Sequence, residues 1–322
     1  MLTDQALPIA RYRFTAMLEA PLRLPDYAGS LLRGVFGAAL RRSACMTNLP
    51  NCAACPLYRS CPYPAIFETP PRSTSMAQQF SQVPNPYVIE PPPLGARLLG
   101  AGDPLVFHMV LIGSDTLRHL PLIVHAWQRA LRHGLGKGRV AAELRSVEWV
   151  GEQDELESVF DPASQRVLPH ETALQVPPAS GIQNATLQIT TPLRLQHQGK
   201  PLRPNQLDIR TLVLALVRRT SLMLSLHGDQ HDEVDIKPLL VSAEAMRDDR
   251  SALRWHDWIR YSSRQQQEMT LGGVLGPWTL TGIPDPLWPW LWLGQWLHLG
   301  KNATMGMGGF SLVRTDEGPQ LP

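Results

Sequence analysis

The chain passes between segments of period two and segments of period near three and a half, and it runs through the same succession twice. IARYRFTAML (9–18) alternates apolar and polar positions, as a half-buried strand does. LPDYAGSLLRGVFGAALRRSAC (24–45) places Leu31, Leu32, Val35, Phe36, Ala39 and Leu40 at helical spacing, with Asp26 as the expected N-cap. NPYVIEPPP (85–93) and PLVFHMVLIG (104–113) predict strands. SDTLRHLPLIVHAWQRALRHG (114–134) predicts a helix stopped by glycine, and VAAELRSVEWV (140–150) a strand. The second half opens with a strand at ATLQITTPLRL (185–195) and a helix at QLDIRTLVLALVRRTSLMLSLHG (206–228). WHDWIRYSSRQ (255–265) and MTLGGVLGPWTLTG (269–282) predict a hairpin, DPLWPWLWLGQWLHLG (285–300) a helix and GGFSLVR (308–314) the last strand.

Each half therefore reads βαββαβ, the split βαβ or ferredoxin-like pattern. The expected fold class is α+β, with two tandem ferredoxin-like (RRM-like) domains. The first covers residues 1–150 and carries a cysteine-bearing insertion at about 45–68. Residues 151–184 are acidic and then rich in Pro and Ser, which predicts a linker, and 185–322 form the second domain. A surface loop is expected at 69–86.

Composition adds limits. Of 322 residues, 43% are apolar and 18% charged, enough for a real core and against global disorder. No apolar run reaches the ~18 residues of a membrane span. The N-terminus lacks the basic-then-apolar pattern of a secretory signal, so a cytoplasmic protein is expected. A net charge of +2 is too mild to identify a nucleic-acid partner. The basic residues are skewed, however: 26 are Arg and 4 are Lys. The guanidinium fork grips phosphate in two places, although GC-rich codon usage yields the same skew.

HLGKNATMGMGGF (298–310) holds four glycines in thirteen residues, and GLGKGR (134–139) stands at the equivalent place in the first half. Bare successive amides form anion-binding concavities. Nucleotide-binding loops follow a strand and open a helix, whereas this one follows a helix and opens a strand, without the Gly-Lys-Ser/Thr order. ATP and dinucleotide cofactors are therefore excluded, and an extended phosphodiester suits Lys301 and the loop amides better. The competing explanation is a helix-to-strand turn that needs glycine for geometry alone.

Cys45, Cys52, Cys55 and Cys61 are the only cysteines, spaced C-x6-C-x2-C-x5-C. Four such close thiols in a reducing compartment read as a metal site rather than disulfides. Tetrahedral zinc in a structural role is the expected ligand, with a [4Fe-4S] cluster as the alternative.

LRGVFGAAL (32–40) with the four cysteines and CPYPAIFE (61–68), RYSSRQQQEMTLGGVLGPWTL (260–280), and HLGKNATMGMGGFSL (298–312) together resemble the CRISPR-associated endoribonucleases of the RAMP superfamily that process precursor CRISPR RNA. The resemblance implies a repeat hairpin bound across two domains and cleavage without a metal. The RNA's 2′-hydroxyl attacks, leaving 2′,3′-cyclic phosphate and 5′-hydroxyl ends on the way to mature guide RNA. It implies CRISPR repeat RNA and guide RNA as partners, with other effector subunits alongside. A non-catalytic RNA-binding subunit of an effector complex is the alternative, and a metal-stapled assembly protein without an RNA role the third class.

Such a reaction needs a base, an acid and positive charge on the phosphorane. His298, Lys301 and Tyr261 are the expected catalytic set, with His298 moving protons and Lys301 facing the phosphorane. Arg260, Arg264 and His256 on the hairpin are expected RNA contacts. So are Gly300, Asn302, Thr304, Gly306, Gly308 and Gly309 on the loop, and Lys137 on its counterpart. Many members place a histidine in or near the first helix; here none precedes His108, which leaves His298 or a group such as Tyr27. Trp292 and Trp296, four apart among leucines, are expected to pack on the sheet. Trp255 and Trp258 are expected to contact RNA or an interdomain surface.

Overall fold

A computed structural model describes residues 6–71, 83–179, 181–228, 234–262 and 267–315. They form two compact units. Pro8–Leu174 carries one, and Gln175–Ser225 with the C-terminal remainder the other. The middle of the loop expected at 69–86 lies outside the described residues.

In the first unit, β1 (Ile9–Leu18) buries Tyr12, Phe14 and Ala16 and turns the residues between them outward. α1 (Gly29–Ala44), α2 (Pro62–Phe67), β2 (Tyr87–Glu90) and β3 (Pro104–Ile112) follow. The helix expected at 114–134 is two: α3 (Ser114–Arg118) and α4 (Leu120–His133), broken at His119. Pro121 accounts for the break, because it offers no N–H to a preceding turn. β4 (Ala142–Val150) and β5 (Leu156–Ser158) complete the sheet. Its order is β2-β3-β1-β4-β5, with every pair antiparallel.

Two further expectations change here. Helix α1 begins at Gly29 with Ala28 at the N-cap and no side-chain cap, so Asp26 does not cap it. Residues 151–184 are not a bare linker. Leu156–Ser158 pairs with β4, and Phe160, Leu174 and Val176 are buried. Composition could not reveal this, because three-residue pairings need only a few apolar anchors.

The core of this unit is aromatic. Trp127 of α4 lies 4.4 Å from Phe107, 5.0 Å from Phe36 and 5.9 Å from Phe14, centroid to centroid. Its indole N–H points at Met109 Sδ, 3.5 Å away.

The second unit repeats the plan with β6 (Asn184–Leu193), α5 (Ile209–His227), β7 (Arg247–Asp249), β8 (Arg254–Ser262), β9 (Gln267–Thr281), α6 (Trp288–Leu297) and β10 (Phe310–Arg314). The order is β7-β9-β6-β10, with β8 also on β9. β9 serves three partners. Its first half pairs with β8, and beyond Gly276, at φ 113°, its second half pairs with β6 and β7. α6 is apolar all round, and every residue but Gln295 is buried. Trp292 and Trp296 meet at 4.2 Å within it, as their spacing predicts. Among the described residues no helix is long and apolar enough to cross a membrane.

Trp127→Ala removes the ring that joins α1 and α4 to the sheet. It is expected to cost about 3–5 kcal/mol of stability, read as a lower urea midpoint with an unchanged slope.

Candidate nucleic-acid interface

The glycine-rich loop is built around an irregularity in β6. The register of β6 against β9 shifts between Ile189 and Leu193. The loop fills the step this leaves. Gly308 N–H donates to Pro192 O at 3.1 Å and Lys301 N–H to Arg194 O at 3.0 Å. Gly309 N–H donates to Thr191 Oγ1 at 2.7 Å, and that hydroxyl donates to Gly306 O at 2.6 Å. Leu299 N–H closes the loop on Gly308 O. A Cβ on Gly308, at φ 72°, would stand 1.9 Å from Leu299 O, and one on Gly300, at φ 78°, 2.5 Å from Arg194 O. Glycine is therefore required by close approach. These amides are turned inward on protein carbonyls and hydroxyls.

His298 seals the arrangement. Its side chain is 3% exposed. Nδ1 lies 3.0 Å from Gly306 O, which can only accept, so Nδ1 carries the proton. The residue sits at φ 53°, ψ 158°, a region that favours glycine, and its ring bond to the loop holds it there. Arg219 closes the other side of the helix end, donating to Leu297 O at 3.1 and 3.3 Å. Burial pushes its guanidinium down to about 10. The sequence reading missed Arg219, which follows Arg218 on α5 and which nothing in the sequence distinguishes from it.

The loop thus divides. Gly306, Gly308 and Gly309 are buried and do not face a polyanion; their expected place as RNA contacts is corrected to a structural one. Gly300 and Lys301 are exposed, and Asn302 and Thr304 are half-buried on the same rim. In the first unit, Lys137 is exposed on a turn closed by the Leu135–Val140 bridge.

A different surface carries arginines with no carboxylate partner among the described residues. On α1, Arg33, Gly37 and Arg41 form one row of i, i+4, i+8 positions, and Gly34, Ala38 and Arg42 the next. These residues, with Asn48, Tyr63 and Phe67, line a groove of about 580 Å³. The guanidinium of Arg33 lies 4.4 Å over the Phe67 ring, and that of Arg41 5.9 Å over Tyr63. Tyr63 and Phe67 stack at 5.6 Å, making a shelf beneath the charges. A Cβ on Gly37 would come within 2.2 Å of Phe67, so the shelf exists because position 37 has no side chain. Arg33 Nε is buried and meets no acceptor among the described residues. Arg11 and Arg13 on β1 differ: they pair with Glu90 at 2.9 Å and Glu148 at 2.8 Å.

Residues 7–172, just over half the chain, match the family model AF_1859_N, an N-terminal domain. Residues 187–310, which include the loop, match the CRISPR-associated endoribonuclease Cas6 family. The chain belongs to the AF_1859_N family, and its second unit is Cas6-like. A solved Cas6 product complex shares its fold at a TM-score of 0.57 and 16% identity, over 96% of this chain and 100% of that one. Thermus thermophilus Cas6 does so at 0.52 and 14%, over 96% and 100%. A chain of a partial Cas6-RT-Cas1–Cas2 complex matches at 0.57 and 16%, over 100% of this chain and 49% of that one. Curated protein sequences give no match.

Other expected site residues of this Cas6-like chain are scattered. Arg260 and Tyr261 lie on β8, paired with Met269 and Glu268. Arg264 falls outside the described residues. His256 is half-buried on the same strand, whereas Trp258 is 3% exposed and belongs to the core, not to an RNA contact. Trp255 stays half-exposed with the Arg203 guanidinium 3.7 Å over its ring. Tyr27 is enclosed, and burial, with the negative charge of Glu90, pushes its hydroxyl well above the ordinary range, which unsuits it as a base. The four cysteines are free, and among the described residues no three His, Cys, Asp or Glu side chains form a ready-made ligand set.

His298→Ala is expected to lower stability by about 1–3 kcal/mol through the orphaned Gly306 carbonyl and the strained backbone, seen as a lower Tm. His298→Asn, which keeps a donor and tolerates positive φ, is expected to recover most of that loss and the accompanying function. A His298→Ala protein with the original Tm and no RNA cleavage would return the residue to the chemistry.

Proposed function

We propose that this protein binds CRISPR repeat hairpin RNA and cleaves the precursor transcript. The observation that carries the reading is the α1 groove, where Arg33 and Arg41 stand over an aromatic shelf and Arg42 lines the same groove. Guanidinium groups take phosphate oxygens in pairs, and the rings beneath, with Tyr63 only 5% exposed, serve to fix the guanidinium positions. The Cas6 match over the second unit, and the fold shared with a solved Cas6 product complex, support the same class of partner. The 2-3-1-4 order of the long strands in each unit supports the ferredoxin-like assignment.

The reaction we assign is transesterification. The 2′-oxygen loses its proton to a base and bonds to the adjacent phosphorus. The bond from phosphorus to the 5′-oxygen breaks, and that oxygen takes a proton. The products are a 2′,3′-cyclic phosphate and a 5′-hydroxyl, and no step requires a metal. To Lys301, exposed on the rim beside half-buried Asn302 and Thr304, we assign the phosphorane's charge.

One observation favours a second reading, an RNA-binding subunit without cleavage. His298 is turned inside, and no histidine lies on α1. Incubation with repeat hairpin RNA in EDTA separates the two. Site-specific cleavage with a cyclic-phosphate end is the expected outcome, and salt-sensitive binding with intact RNA would favour the subunit.

Arg33→Ala and Arg42→Ala are each expected to weaken hairpin binding by about 3- to 10-fold and to lower the slope of log affinity against log salt by about 1. Unchanged affinity and slope in both would place the RNA elsewhere.

A further inference from the structure

The segment between α1 and α2 has no core of its own. From residue 46 to residue 60 nothing is buried, and the half-buried positions are Cys52, Cys55 and Tyr58. Met46 is 84% exposed, and Leu49 and Leu57 also face outward. Its hydrogen bonds are local. Asn51 Oδ1 accepts from Ala53 N–H at 3.0 Å, Cys55 N–H donates to Cys52 O and Cys61 N–H to Leu57 O. Arg41 pins one arm by donating to Leu49 O and Pro50 O. A stretch with so little burial cannot offset its own conformational entropy by packing.

What this segment does turn inward is sulfur. Cys45 caps the C-terminus of α1, Cys61 stands at the N-cap of α2, and Cys52 and Cys55 flank the single turn between them. All four line one cavity of about 20 Å³, with Leu49, Leu57, Tyr58 and Pro64 among the other walls. No pair of them is joined as a disulfide.

We infer that Cys45, Cys52, Cys55 and Cys61 bind one zinc ion that staples α1 to α2. The thiol-lined cavity as it stands, about 20 Å³, holds about one water-sized sphere, the size of a single ion, and metal analysis separates an ion from a cluster. Four thiolates suit tetrahedral zinc and fill its coordination sphere, so the site is structural. The sulfurs are not already gathered as a ligand set, so binding draws them together and contributes to folding of the segment. Cys45 and Tyr63 line both this cavity and the arginine groove, so the ion also fixes one wall of that groove.

The test is metal analysis of the full chain as purified. About one zinc per chain is expected, without visible absorbance. Titrating the thiols with a mercurial should release it in proportion, and cobalt substitution should give the intense bands of a tetrahedral thiolate site. Cys52→Ser and Cys61→Ser should lose the metal, whereas Ala54→Ser, exposed on the same segment and outside the cavity lining, should keep it. The mercurial titration covers the case in which the serine variants do not fold. Native protein whose four thiols react freely while zinc is absent overturns the inference. So does iron with acid-labile sulfide and a broad visible band.

Discussion

The step in β6 between Ile189 and Leu193 is the constraint on which the second unit's rim depends. It exposes the carbonyls of Pro192 and Arg194 and the hydroxyl of Thr191 where a regular strand would have used or hidden them. Buried polar groups must be paired. The chain meets that demand with a loop that carries amides and almost no side chains. The glycines, the positive φ of His298 and the inward turn of its ring are consequences of one pairing requirement. This explains why a loop that looks like an anion cradle spends most of its donors on protein. What remains for a ligand is the outer edge, where Gly300 and Lys301 are exposed and Asn302 and Thr304 half so.

The elements were legible where periodicity was strong. IARYRFTAML is strand over Ile9–Leu18, and the paired helices and strands of the second half fall where their patterns place them. Boundaries failed where a single residue decides, as at Ala28, His119 and the short pairing of Leu156–Ser158. The site was less legible. Glycine content marks a place where backbone comes close to something. It does not say whether that something is a phosphate or the chain's own carbonyl. His298 looked like a proton carrier beside a loop, and only three-dimensional burial shows its Nδ1 proton already committed.

The arginines show the reverse case. Counting them left codon usage and phosphate recognition equally open. Their partners separate them: Arg11 and Arg13 have carboxylates, Arg219 has the end of α6, and Arg33 lies across an aromatic ring. A signal for the last existed in LLRGVFGAALRR, where small residues at 34, 37 and 38 stand between cations about two helical turns apart. Arginine in the last turn of a helix is also what the macrodipole favours, which makes Arg41 and Arg42 look ordinary in sequence.

Small side chains and charge act together in that groove. Gly37 lets Phe67 lie on α1, and the ring then carries Arg33. α2, which supplies Tyr63 and Phe67, is only six residues long and too short to be stable by itself. Its start is Cys61 and its approach is the thiol-lined segment. The aromatic shelf is therefore only as well placed as the connection that precedes it, and an arginine array needs a fixed floor to discriminate a folded RNA from any polyanion. Charge supplies attraction, but position supplies selectivity. In this chain position is set by a short helix hung between an aromatic core and four sulfurs.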